Sequence, residues 1–162
     1  MNLGFTLNGE RVTVECQPET RLTEILRDML HLTATKLACA IGRCGACSVL
    51  LDGRLANACL LMAWRIDGAD ILTAEGLAPH PLGQAVRAGL AEENAFQCGY
   101  CAPGFSLALV ALFTDNPQAG EKDIRPVWRA TLSLHRLSFD HQRGVERRLP
   151  HSRRTHHFRR LT

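Results

Sequence analysis

Apolar and polar side chains alternate over residues 2–7 and again over residues 11–16, on either side of Asn8-Gly9. A period of two sends successive side chains to opposite faces of a strand, and Asn-Gly suits both positive-φ positions of a two-residue hairpin turn. The pattern predicts a hairpin with Leu3, Phe5 and Leu7 on one face and Val12 and Val14 on the pairing strand. After Pro18 the period lengthens. Leu22, Ile25, Leu26, Met29 and Leu30 recur at helical spacing, with Thr20 as the expected N-cap. Residues 48–51 and 55–60 flank Asp52-Gly53, a second hairpin signal, and residues 70–73 read as one more short strand. Ala78-Pro-His-Pro81 then interrupts the chain. Beyond it, Leu82, Ala85, Val86 and Leu90 form one stripe of a helix over 82–93, and a second helix starts near Pro103 and stops at Asp115-Asn-Pro117. This second helix is apolar on most faces and is expected to be buried.

The elements predict an α+β fold in two parts: a small hairpin–helix–hairpin unit over residues 1–76 and a helical unit from residue 80. A 162-residue chain with 46% apolar residues can build such cores. No apolar run is long enough for a transmembrane helix, and the first residues lack the basic and apolar regions of a secretory signal. The expected compartment is the cytoplasm, where thiols stay reduced.

That matters because the chain holds seven cysteines. Cys39, Cys44, Cys47 and Cys59 follow the spacing C-x4-C-x2-C-x11-C, which is the plant-type ferredoxin arrangement for a [2Fe-2S] cluster. Three ligands on one tight loop and a fourth from a separate segment can surround two bridged irons. Gly42 and Gly45 fall between them, where the loop must curl closely around the cluster. Zinc sites more often combine two C-x2-C halves, which the x4/x2 triple does not resemble. The rival readings are a zinc- or disulfide-based binding module with a basic tail, and a stand-alone ferredoxin. Cys98 and Cys101 form a separate C-x2-C at the predicted start of the buried helix, where the helix dipole favours thiolates. Cys16, on a predicted strand, reads as a small core residue, and His31 and His80 as surface or loop residues. No acid–base pair, nucleophile triad or phosphate loop stands in residues 1–125.

Together, Lys36-Leu-Ala-Cys39 through Asp52-Gly53, then Cys59, then Gln97-Cys98-Gly-Tyr-Cys101-Ala-Pro-Gly-Phe105 resemble the small iron–sulfur subunit of the xanthine dehydrogenase family of molybdenum hydroxylases. The family includes aldehyde oxidoreductases and carbon monoxide dehydrogenases. The resemblance covers residues 1 to about 125. It implies a β-grasp ferredoxin domain, then a helical [2Fe-2S]-binding domain, acting together as an electron-transfer relay. A molybdopterin-containing large subunit would be the donor and an FAD-binding medium subunit the acceptor, with no substrate site on this chain. By the same resemblance Cys39, Cys44, Cys47 and Cys59 would ligate one cluster, Cys98 and Cys101 would supply half of a second, and Gln97 would contact the pterin. Ala38 departs from the family's usual Gly, and its methyl group is expected to crowd the loop.

The larger departure is the C-terminal end. The family completes its second cluster with Cys-Arg-Cys-Thr-Gly-Tyr, whereas no cysteine follows Cys101 here. Codons for that motif, read one phase off, allow Ser, Leu, His, Arg and Leu in succession, and Ser133-Leu-His-Arg-Leu137 stands at the expected place. At average residue usage, such a five-residue agreement arises by chance on the order of once in ten thousand or less. Trp128, in the other phase, yields the Gly of a Leu-Ser-Gly lead into the motif. Charge changes at the same point: residues 1–124 hold 9 basic and 14 acidic side chains, while residues 125–162 hold 10 arginines, no lysine, and only Asp140 and Glu146 as acids. The expectation is a partial helical domain over 80–125 and an out-of-frame, disordered basic tail over 126–162 that evolved for no nucleic-acid partner. A second cluster then requires the Cys-Arg-Cys motif to be restored.

Overall fold

The computed structural model describes residues 1–131, with side chains described through Val127. The hairpin at Asn8-Gly9 forms as the alternation predicts: β1 (Asn2–Leu7) pairs antiparallel with β2 (Glu10–Glu15), with Phe5 opposite Val12. Asn8 and Gly9 have φ of 53° and 87°, the left-handed values such a turn demands. Leu3, Phe5 and Leu7 all face the core.

The segment after Pro18 departs from an ordinary helix. One α-turn, α1 (Leu22–Glu24), widens into a π-helical turn over Ile25–Met29. Leu22, Ile25 and Leu26 are buried, as the spacing predicts, but Met29 is exposed. Thr20 does not cap this helix. Arg21 occupies the N-cap position without a side-chain bond, and the Leu22 N–H donates to the Leu61 carbonyl. A tertiary partner therefore satisfies the donor that a capping side chain would otherwise take.

The second hairpin pairs β3 (Ser48–Leu51) with β4 (Arg54–Asn57) around Asp52-Gly53. Strand β5 (Asp70–Leu72) inserts between the hairpins, parallel to β1 and antiparallel to β3. The resulting order β2-β1-β5-β3-β4 is a five-stranded mixed sheet, with the α1 segment packed on it in a β-grasp arrangement.

Three helices follow: α2 (Pro81–Glu92), α3 (Ala102–Asp115) and α4 (Glu121–Thr131). His80, placed by sequence in a loop, caps α2, its Nδ1 accepting from the Gly83 N–H at 3.2 Å. Helix α3 is buried continuously from Gly104 to Val110, and Phe96 meets Phe105 edge-on. Its core includes Leu50 of β3, so the helical part shares a packed seam with the sheet. Helix α4 crosses the boundary expected near Arg125, with Pro126 inside it. Ser133–Leu137, His135 and the rest of the basic segment lie outside the described residues.

Candidate iron–sulfur site

The pairing of β3 with β4 organises the first cysteine group. Ser48 faces Asn57 in the ladder, and one step beyond it the Ala58 N–H donates to the Cys47 carbonyl at 3.1 Å. Cys59 comes next, in a one-turn 3₁₀ helix (Ala58–Leu60) rather than on the predicted strand, so the fourth thiol arrives beside the third. Cys47 and Cys59 lie close enough to influence each other's ionisation, as do Cys39 and Cys44. Cys44 also acts electrostatically on Cys47. The four thiols thus form two adjoining pairs. Among the described residues no three His, Cys, Asp or Glu side chains close on a single ion, and all seven cysteines are free thiols.

The loop is shaped to point backbone N–H groups at sulfur. Ala40, Gly42 and Gly45 have φ of 57°, 71° and 69°, which turn the chain back on itself. The Arg43 and Cys44 amides each donate to Cys39 Sγ at 3.3 Å. With Ile41 as the largest contributor, these amides hold the Cys39 thiol down to about 6. Burial acts oppositely on Cys47 and pushes it up to about 12. A Cβ on Gly42 would stand 2.3 Å from Leu60 Cδ1, so this glycine serves both conformation and space. Ala38 is exposed. Two anchors carried no sequence signal: Asn57 Nδ2 donates to the Gly42 carbonyl at 3.0 Å, and Ser48 Oγ to the Gly45 carbonyl at 2.7 Å.

The second group lies at the start of α3. Cys98 is exposed, Cys101 occupies the N-cap position, and Gly99 between them has a φ of 72°. The expected dipole effect does not prevail at Cys101: burial is the main cause raising its pKa, and Cys98 adds a repulsive contribution. Gln97 is exposed beside Cys98. Tyr100 Oη donates to the Leu37 carbonyl at 2.9 Å, and Lys36 Nζ stands 5.8 Å from the Tyr100 ring centroid. The Cys98–Cys101 turn therefore packs beside the first cysteine loop. A cavity of roughly 520 Å³ opens behind it, walled by Leu77, Leu90, Phe96, Ala102 and Ser106, with Glu75 and Arg87 also in its lining.

A sheet-borne loop with paired thiols, followed by a helix opening on a further cysteine pair, defines a two-part iron–sulfur protein. A family described as "2Fe-2S iron-sulfur cluster binding domain" matches residues 5–71, and one described as "[2Fe-2S] binding domain" matches residues 73–133. The chain is 52% identical over 120 residues to a probable xanthine dehydrogenase subunit from Bacillus subtilis (strain 168), covering 74% of this chain and 69% of that one. It is 35% identical over 124 residues to the nicotinate dehydrogenase small FeS subunit of Eubacterium barkeri, covering 76% and 79%. Among solved structures, quinoline 2-oxidoreductase from Pseudomonas putida 86 is similar with a TM-score of 0.82 and 28% identity, over 90% of each chain. The chain belongs to the small iron–sulfur subunits of the xanthine dehydrogenase family of molybdenum hydroxylases, which serve in electron transfer. No helix among the described residues is long and apolar enough to cross a membrane.

Proposed function

We propose that this chain relays electrons from a molybdopterin-containing large subunit to an FAD-binding medium subunit in the cytoplasm, with the substrate chemistry on another chain. Cys39 and Cys44 would hold one iron of a [2Fe-2S] cluster and Cys47 and Cys59 the other. The observation carrying this reading is the arrangement of the thiols in two adjoining pairs, with backbone amides converging on Cys39. A binuclear cluster needs two thiolates per iron, and its sulfurs accept N–H bonds that stabilise added negative charge. The free thiols and the backward-curling loop suit that group. When bound, the cluster takes up and passes on single electrons. The chain's own part is to hold four thiolates, direct amides at their sulfurs and keep Cys44, Cys47 and Cys59 out of water.

Cys98 and Cys101 would supply half of a second site, and Gln97, exposed beside them, would contact the donor's pterin. A reading-frame change near Arg125 removes the other half, because Ser133 and His135 stand where two thiolates are needed. Residues 1–76 and 80–125 then act as the functional parts, and residues 126–162 contribute no nucleic-acid surface. Reconstitution with iron and sulfide tests the first site: a red-brown protein with a reduced-state EPR signal supports it. A colourless protein that binds zinc instead would return the binding-module reading.

A further inference from the structure

Gly104 sits in the first turn of α3, three residues after Cys101. Its φ is not in the left-handed region, so conformation does not call for glycine, and alanine there would favour the helix. Space does call for it. A Cβ on Gly104 would lie 2.2 Å from the Gly45 carbonyl oxygen and 3.2 Å from that of Ala46. Both are backbone atoms of the loop between Cys44 and Cys47, and neither is free to swing aside. The Gly45 carbonyl accepts from both the N–H and the Oγ of Ser48, at 3.1 and 2.7 Å. The Ala46 carbonyl accepts from the Lys36 N–H at 3.2 Å. Within the Cys98–Cys101 turn, Tyr100 Oη donates to the Leu37 carbonyl at 2.9 Å. The Cys98–Cys101 turn is thus clamped to the cysteine loop at two points, one of them a backbone-on-backbone contact that only glycine permits.

We infer that Gly104 is a positioning residue for electron passage between the two halves of the chain, fixing how closely the Cys98–Cys101 turn approaches the loop bearing Cys44 and Cys47. This rests on the ligand assignment proposed above. Electron transfer through protein weakens steeply with separation, so a contact that sets the spacing also sets the rate. Ordinary van der Waals contact for a Cβ begins near 3.4 Å, so alanine at 104 must move the helix away by about 1 Å.

The full-length chain, reconstituted with iron and sulfide and carrying Cys16→Ser and Cys101→Ser, leaves exposed Cys98 to bear a nitroxide. Pulsed EPR of the reduced protein then reads the separation between that label and the first cluster. Gly104→Ala is expected to lengthen it by about 1 Å and Gly104→Val by more. Tyr100→Phe, which adds no bulk, should broaden the distribution, while Gly120→Ala, whose Cβ enters open space, should leave it unchanged. In the frame-restored chain assembled with its molybdenum and flavin subunits, reduction of the first cluster should slow in the same order with unaltered g values. An unchanged separation in both Gly104 variants, or an unchanged rate despite lengthening, overturns the inference. Loss of the cluster signal before any change at Gly104 overturns the ligand assignment instead.

Discussion

The backbone amide of Cys44 donates to Cys39 Sγ at 3.3 Å and adds to the larger effect of the Ile41 amide in favouring the Cys39 thiolate. In the cluster-free chain, Cys39 is therefore the loop cysteine that alkylates at neutral pH. Its reactivity should reach half-maximum near pH 6 rather than 9, and Cys47, raised to about 12, should react only as the loop opens. The lowered Cys39 pKa stabilises the cluster-free fold above pH 9, and that contribution is lost as pH falls through about 6. Mass spectrometry of iodoacetamide-treated protein across pH checks the order, and a Cys39 midpoint near 9 would contradict it.

Cys44→Ser should abolish or strongly perturb the reduced-state EPR signal and visible absorption of the first domain, because a hydroxyl is a poor substitute for one of four thiolates. A spectrum identical to that of the unsubstituted chain counts against the assignment.

Phe105 is fully buried in the helical core, packed edge-on against Phe96 at 5.9 Å between ring centroids. Phe105→Ala should cost about 3–5 kcal/mol, because the rigid wall of α3 cannot collapse into the space. Denaturant unfolding measures this, and a loss below about 1 kcal/mol would show the core is looser than described.

Much of this architecture was legible in local pattern. The alternation around Asn8-Gly9 fixed β1 and β2 almost to the residue, since a period-two strand has only one register that buries Leu3, Phe5 and Leu7 together. The cysteine spacing located the loop and three of its thiols for the same reason: the information lies within a few residues. Features set by distant partners were not legible. The cap at Thr20 fails because Leu61 takes the Leu22 amide, and Cys59 leaves its strand because Asn57 and Ala58 turn toward Gly42 and Cys47. The role of Gly104 depends on a carbonyl 59 positions earlier, and no window along the chain displays that contact.

The cavity beside α2 and α3 leaves Leu77, Leu90 and Phe96 lining an open space. Restoring the Cys-Arg-Cys frame should supply the rest of the helical domain and add packing beside α2 and α3. The frame-corrected chain is expected to melt higher and to resist protease better across residues 80–125. Equal melting temperatures and equal digestion of the two chains would remove this argument for an incomplete domain.

The most direct test of the whole account is the iron content of the unaltered 162-residue chain after reconstitution, read together with its reduced-state EPR spectrum. On the proposed assignment Cys39, Cys44, Cys47 and Cys59 would complete one cluster, while no cysteine follows Cys101 to complete a second, and one imidazole at His135 would not replace two thiolates. The account predicts about two irons per chain and a single paramagnetic centre, with a second centre gained when the frame is restored. About four irons per chain and two centres in the unaltered protein would contradict it.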